Sequence, residues 1–85
     1  SSEDFTFFTK LINQSGFDYN NIKDIFFFPS GRWDIRTKDN ITIKLSKEDT
    51  EYALKKAQNI IDNIELKNNN VIDLRMANQV IIFND

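Results

Sequence analysis

Two aspartates flanked by arginines are the candidates for acid–base chemistry in this chain. Asp34 lies between Arg32 and Arg36, and Asp73 comes two residues before Arg75. General acid–base catalysis by carboxylates needs two such groups in one cleft. Both aspartates lie in segments where polar and apolar residues alternate, and cross-strand ion pairs on a sheet contribute roughly 0.2 to 1 kcal/mol each. We therefore expect cross-strand ion pairs among Asp34, Arg36, Asp73 and Arg75, and no hydrolytic centre.

Other catalytic classes lack their residues. The chain contains no histidine and no cysteine, which removes the commonest general base, the thiol nucleophile and most transition-metal ligand sets. Ser30-Gly31 alone does not form a glycine-rich phosphate loop. The formal net charge of −2 argues against strong binding to phosphate backbones. We expect a non-enzymatic domain with no cofactor, no metal and no nucleic-acid partner.

Aromatic residues permit a second interpretation. The run Phe26–Phe28 could stack with the bases of a single-stranded nucleic acid. Only Lys23 and Arg32 lie close by as basic residues, so we expect two of these rings in the core and the third against a loop or a neighbouring domain. Trp33 is either a core anchor on the same strand face as Ile35, which we favour, or a surface contact.

Two helices are predicted from apolar residues that recur every three and four positions. The first is a short helix of about three turns that contains Phe5 and Ile12 and ends at Gly16, a residue suited to a left-handed cap. The second begins with a capping box at Ser46–Asp49 and runs for about nineteen residues, with Ile64 on its apolar stripe.

Five strands are predicted between and after these helices. Lys38–Asn40 and Ala77-Asn78 are predicted as turns. The resulting order α-βββ-α-ββ predicts an α+β domain with a five-stranded, mostly antiparallel sheet and both helices on one face. The strands are Ile22–Phe28, Arg32–Thr37, Ile41–Leu45, Val71–Met76 and Gln79–Phe83.

The last strand differs from the others because it is apolar on both faces. Val80 and Ile82 point to one side of the sheet, and Ile81 and Phe83 point to the other. Such a strand is either central and fully buried, or an edge strand whose free N–H and C=O groups pair with an incoming strand. The residues alone leave both interpretations open.

The order of these motifs resembles a known family. Arg32-Trp33-Asp34-Ile35-Arg36, then Ile41–Leu45, a helix, Val71–Arg75 and a closing strand are similar to the C-terminal β-domain of the bacterial cell-division protein FtsQ, called DivIB in Gram-positive bacteria. The first motif resembles alphaproteobacterial members. The resemblance runs from about Asp24 to Phe83. It implies that residues 1–85 are one β-domain of a single-pass inner-membrane protein whose membrane helix and POTRA domain lie outside this fragment.

The resemblance also implies a function. It predicts a periplasmic or otherwise extracytoplasmic, non-enzymatic module of the divisome that acts in septation without inserting into the membrane itself. Its implied partners are FtsB and, through FtsB, FtsL, bound by strand addition to the closing strand. Met76 stands where many members carry an aromatic residue, and methionine can fill a similar pocket. The implied partner-binding residues are Arg32, Arg75, Met76, Ala77, Gln79, Val80, Ile81, Ile82 and Phe83.

Overall fold

Two helices and five strands follow one another in the predicted order α-βββ-α-ββ. The structure is a computed structural model that describes all of residues 1–85. A short 3₁₀ turn at Tyr19–Asn21 precedes the first strand. The elements are α1 (Ser2–Ser15), β1 (Ile22–Phe27), β2 (Trp33–Thr37), β3 (Thr42–Lys44), α2 (Thr50–Asn63), β4 (Asn70–Asp73) and β5 (Ile81–Asn84).

The five strands form one sheet in the order β1-β2-β3-β4-β5. The β1–β2, β2–β3 and β4–β5 pairs are antiparallel, and the β3–β4 pair is parallel. Parallel neighbours need a crossover connection, which α2 supplies between β3 and β4. The predicted α+β class and mostly antiparallel sheet are confirmed, with β1 and β5 as the two edges.

The core lies between the helices and one face of the sheet. Register pairs Ile35 with Ile43 and Ile43 with Ile72, so these side chains form one apolar row across three strands. Both helices contribute to the same cluster, as predicted. Its buried members are Phe8, Ile12, Phe17, Ile35, Ile41, Ile43, Leu45, Ala53, Leu54, Ala57, Ile60, Ile72 and Leu74.

The helix ends agree only in part with the prediction. Gly16 ends α1 in the left-handed region at φ 79°, as expected, and Asn40 in the β2–β3 turn has φ 62°. The capping box predicted at Ser46–Asp49 is wrong, because the Ser46 hydroxyl donates to the Asp49 carbonyl at 3.3 Å and Asp49 caps α2 without a side-chain hydrogen bond. A capping box is present instead at the start of α1, between Ser1 and Asp4.

The predicted length of α2 is also wrong. The helix ends at Asn63, where the Asn63 amide side chain donates to the Asn59 carbonyl at 2.8 Å. Ile64 takes an extended backbone with φ −121°, and its side chain is exposed. The apolar stripe therefore stops one turn earlier than its spacing indicates.

The two-residue hairpin predicted at Ala77-Asn78 is a longer connection that spans residues 74–80. Leu74 prolongs the pairing with β3, because its N–H donates to the Lys44 carbonyl at 2.8 Å and its side chain is buried. The Arg75 N–H then donates to the Asp73 carboxylate at 3.0 Å, which starts the turn. Asn78 closes it at φ 63°.

Candidate protein-interaction edge

Strand β5 is an edge strand with apolar side chains in solvent. It pairs with β4 alone, so its other side is open. Exposure is nearly equal on the two faces, which shows that the rest of the chain covers neither face completely. The exposed fractions are 43% for Val80, 40% for Ile81, 38% for Ile82 and 41% for Phe83. The edge interpretation is confirmed, and the buried central strand is not found.

The register of the β4–β5 pair determines which N–H and C=O groups of β5 point to the open side. The Asp85 N–H donates to the Asn69 carbonyl at 3.1 Å, in line with the β4–β5 pairing. Hydrogen-bonded and non-hydrogen-bonded pairs alternate along an antiparallel ladder, so Phe83, two residues earlier, also directs its N–H and C=O towards β4. The N–H and C=O groups of Ile82 and Asn84 therefore point to the open side.

Arg75, near the start of the β4–β5 connection, is a cation whose orientation is fixed by an ion pair. The Arg75 guanidinium donates to both oxygens of Asp73, with Nε–Oδ1 at 2.9 Å and Nη2–Oδ2 at 2.7 Å. The hydrogen bonds from Arg75 hold the pKa of Asp73 below its usual value, and the carboxylate in turn raises the pKa of Arg75. Met76, the next residue, is exposed. A fixed positive charge and an exposed apolar side chain thus follow each other beside β5.

The helix side of β5 borders a groove of about 470 Å³. Ile82 pairs with Ile72 and so shares the core face of the sheet, which places Val80 and Ile82 on this side. The groove runs between β5 and the outer surface of α2. Its lining residues are Tyr52, Lys55, Lys56, Asn59, Ile60 and Val80.

A family model described as "Cell division protein FtsQ/DivIB, C-terminal" matches residues 6–75 of the chain. The chain belongs to this family. No curated protein and no solved structure matches the chain. The match covers most of α1 and all elements up to β4, and it stops at Arg75, so β5 lies beyond the matched residues.

Family membership gives the FtsQ/DivIB domain a place in cell division and septation, as a module that interacts with other division proteins. The family is non-enzymatic and membrane-anchored. Neither helix of this chain has the length and apolar composition that crossing a bilayer requires.

Arg32 lies apart from the other residues expected to bind a partner. It stands at the start of β2, where its Nε is 3.2 Å from Asp34 Oδ1 and its guanidinium carbon is 4.5 Å from the centroid of the Phe28 ring. β3 and β4 separate β2 from β5, a distance of about 14 Å at ordinary strand spacing. Arg75, Met76, Ala77 and the residues from Gln79 to Phe83 lie together at the β5 edge, whereas Arg32 lies across the sheet.

The predicted cross-strand ion pairs are wrong. Each aspartate binds an arginine two residues away in its own segment. β3 lies between β2 and β4, so Lys44 stands between Asp34 and Asp73 in the register. Arg36 extends over the Phe26 ring, with 5.9 Å from its guanidinium carbon to the ring centroid. Burial raises the pKa of Asp34, against the opposing effect of Arg32.

The aromatic run does not pack as expected. Phe26 and Phe27 are 41% and 42% exposed, and Phe28 is half-buried, so none of the three is a fully buried core residue. Strand alternation puts Phe27 on the helix side and its two neighbours on the other face. Because the rings are divided between faces, they do not form one continuous stacking platform for successive bases.

Trp33 has the structural role expected of it. Its ring stacks on Phe8 with centroids 4.3 Å apart and an interplanar angle of 5°, and it contacts Phe27 at 4.4 Å. It is half-buried and packs against the core cluster. The residue therefore joins α1, β1 and β2.

Sequence reasoning missed the contribution of α2 to the edge. Lys55 and Lys56 line the groove beside Val80, although nothing in the sequence pattern assigns them to a site. The available signal is their position on the polar side of an amphipathic helix. Which edge of the sheet that side faces depends on the tertiary structure.

Proposed function

We propose that this FtsQ/DivIB domain binds the division protein FtsB, and through it FtsL, by adding an FtsB strand to β5 during septum assembly. The observation that carries the proposal is the open edge: apolar side chains of β5 are exposed on both faces, and the N–H and C=O groups of Ile82 and Asn84 point outward. Strand addition derives affinity from main-chain hydrogen bonds and specificity from alternate side-chain pockets.

The surroundings of β5 supply the second element of recognition. The orientation of Arg75 is set by Asp73 at 2.7 Å, and a preorganised cation loses little conformational freedom when a partner carboxylate approaches. Met76, Ala77 and Gln79 follow it along the connection to β5. The proposed contact surface is thus the strand together with this connection, and Arg32 takes part only if the partner continues across the helix-free face.

The proposal includes a location. In a single-pass inner-membrane protein that also carries a POTRA domain, this domain would lie on the extracytoplasmic side, where FtsB and FtsL would present their own extracytoplasmic segments. The resemblance of the motifs between Asp24 and Phe83 supports this location.

Proline substitution in β5 tests the proposal. Ile82→Pro deletes an outward N–H and leaves the β4–β5 hydrogen bonds in place, because edge strands tolerate proline where the N–H faces solvent. We expect it to abolish binding of an FtsB fragment, measured by amide chemical shifts of the labelled domain, while the remaining spectrum and the urea midpoint stay close to those of the wild type.

The matched control is Ile81→Pro. Ile81 pairs with Asp73 and directs its N–H towards β4, so the same substitution one residue earlier removes an internal hydrogen bond. We expect it to destabilise the fold by about 1 to 3 kcal/mol. Unchanged FtsB affinity in folded Ile82→Pro would refute strand addition at this edge.

A further inference from the structure

The groove beside β5 carries two lysines, of which only one has an ion-pair partner. Lys55 forms an exposed pair with Glu51, with 3.8 Å between Nζ and Oε2. Lys56 is half-buried, has no ion-pair partner, and places its Nζ 4.8 Å from the centroid of the Tyr52 ring. No acidic residue lines the groove where it meets Val80.

An added strand would place alternate side chains next to these lysines. A residue opposite Ile82 points to the same face as Ile82, and this is the face on which α2 lies. Its neighbours along the strand point to the other face, beside Ile81 and Phe83. We propose that the strand accepted by β5 carries acidic side chains on the side facing α2 and apolar side chains on the opposite side. This inference rests on the proposed strand addition.

The distribution of charged residues along the groove indicates where the acidic side chain of the added strand would lie. Near the β4–β5 connection, an adjoining cavity is lined by Glu48 and Asp49 as well as Lys56 and Arg75, so positive and negative charges are balanced there. Next to Val80 the groove is lined by Lys55 and Lys56 and by no acidic residue. The acidic side chain therefore belongs beside Val80, where β5 begins, and not beside the Ala77-Asn78 turn.

A second copy of this chain does not fit the same edge. The residues of its β5 that would face the groove are Val80, Ile82 and Asn84, which carry no negative charge. Antiparallel pairing of two β5 strands would also bring a second α2, with its own Lys55 and Lys56, to the same side of the joined sheet. Like charges brought together across an interface are unfavourable, so a different protein with acidic residues is the better occupant.

Three synthetic peptides test the inference. Each is a labelled nine-residue peptide in which valine alternates with glutamate, glutamine or lysine, titrated against the domain by fluorescence anisotropy. We expect the glutamate peptide to bind about three- to tenfold more tightly than the glutamine peptide, as one or two partly exposed ion pairs allow, and the lysine peptide to bind weakest. In the double variant Lys55→Glu/Lys56→Glu this order should reverse.

The matched control is Lys10→Glu/Lys38→Glu, which changes the net charge by the same amount at exposed positions on α1 and in the β2–β3 turn. It should keep the wild-type order. Equal affinities of the three peptides for the wild type, or an order unaffected by Lys55→Glu/Lys56→Glu, would overturn the inference while strand addition stands, provided that Ile82→Pro still abolishes FtsB binding. Undiminished peptide and FtsB binding by Ile82→Pro would overturn both proposals.

Discussion

The two edge strands of the sheet, β1 and β5, have similarly exposed aromatic side chains but differ in the regularity of their backbones. Phe26 on β1 and Phe83 on β5 are each 41% exposed. In β1 the register shifts between Ile22 and Asp24, which leaves a bulge at Lys23, and Pro29 lies two residues beyond the last residue of the strand. β5 pairs in continuous register and has no bulge, lysine or proline.

The difference shows that exposure alone does not identify a binding edge. Bulges, lysines and prolines are the devices by which natural sheets prevent unwanted pairing. They occur at β1, whereas β5 keeps a regular and apolar edge. A partner strand therefore has one suitable edge on this molecule.

The largest expected effect concerns the anchoring of β1. Trp33→Ala removes the ring that stacks on Phe8 and contacts Phe27, so we expect a loss of about 3 to 5 kcal/mol in the free energy of unfolding, measured by urea denaturation. Phe83→Ala on β5 should cost less, because the Phe83 side chain is already 41% exposed and makes no contact like the Trp33–Phe8 stack. Equal losses in the two variants would show that both edges are anchored to the same degree.

A smaller effect on stability is expected when a lysine, a residue that β1 already contains, is introduced into β5. Ile81→Lys places a cation opposite Asp73 in the register, where a cross-strand ion pair compensates for the lost apolar contact. We expect the urea midpoint to change little and binding of the FtsB fragment to weaken by about tenfold or more, since a lysine on an edge strand opposes pairing. Retained affinity would show that the partner does not contact the Ile81 side chain on the helix-free face of the sheet. Lys10→Glu, on α1, serves as a surface control.

The smallest effect is a difference in pH response between the two aspartates, of which Asp34 is next to β1 and Asp73 next to β5. The pKa of Asp73 is lowered by its hydrogen bonds from Arg75, so its stabilising contribution is present above the ordinary value of 3.8 and is lost as the pH falls through the lowered pKa. Burial raises the pKa of Asp34, so its contribution is present at low pH and is lost as the pH rises through the raised pKa.

Between pH 7 and pH 2, Asp73→Asn should therefore reduce the loss of stability on acidification, and Asp34→Asn should increase it. We expect each change to be on the order of 1 kcal/mol, and denaturation series at several pH values would measure it. The same response in both variants would mean that the two carboxylates have similar environments.

Local features of the sequence predicted most of the elements. The periodicities gave the order α-βββ-α-ββ, and Gly16 and Asn40 adopt the positive φ expected of their types at chain reversals. The errors occur where distant segments meet. Leu74 forms a backbone hydrogen bond with Lys44 of β3, so the predicted two-residue hairpin does not form. The predicted cross-strand ion pairs are absent because β3 lies between the strands that carry Asp34 and Asp73.

The sequence by itself determined the α+β class, the two-sided apolar character of β5 and the absence of thiol and imidazole chemistry, because each depends on residue types and short spacings. Only the tertiary structure decided that β5 lies at an open edge, that Ile82 and not Ile81 points its N–H outward, and that two lysines of α2 border the groove. These depend on strand order and register, which arise when the α2 crossover brings β4 beside β3. No local pattern specifies such long-range pairing.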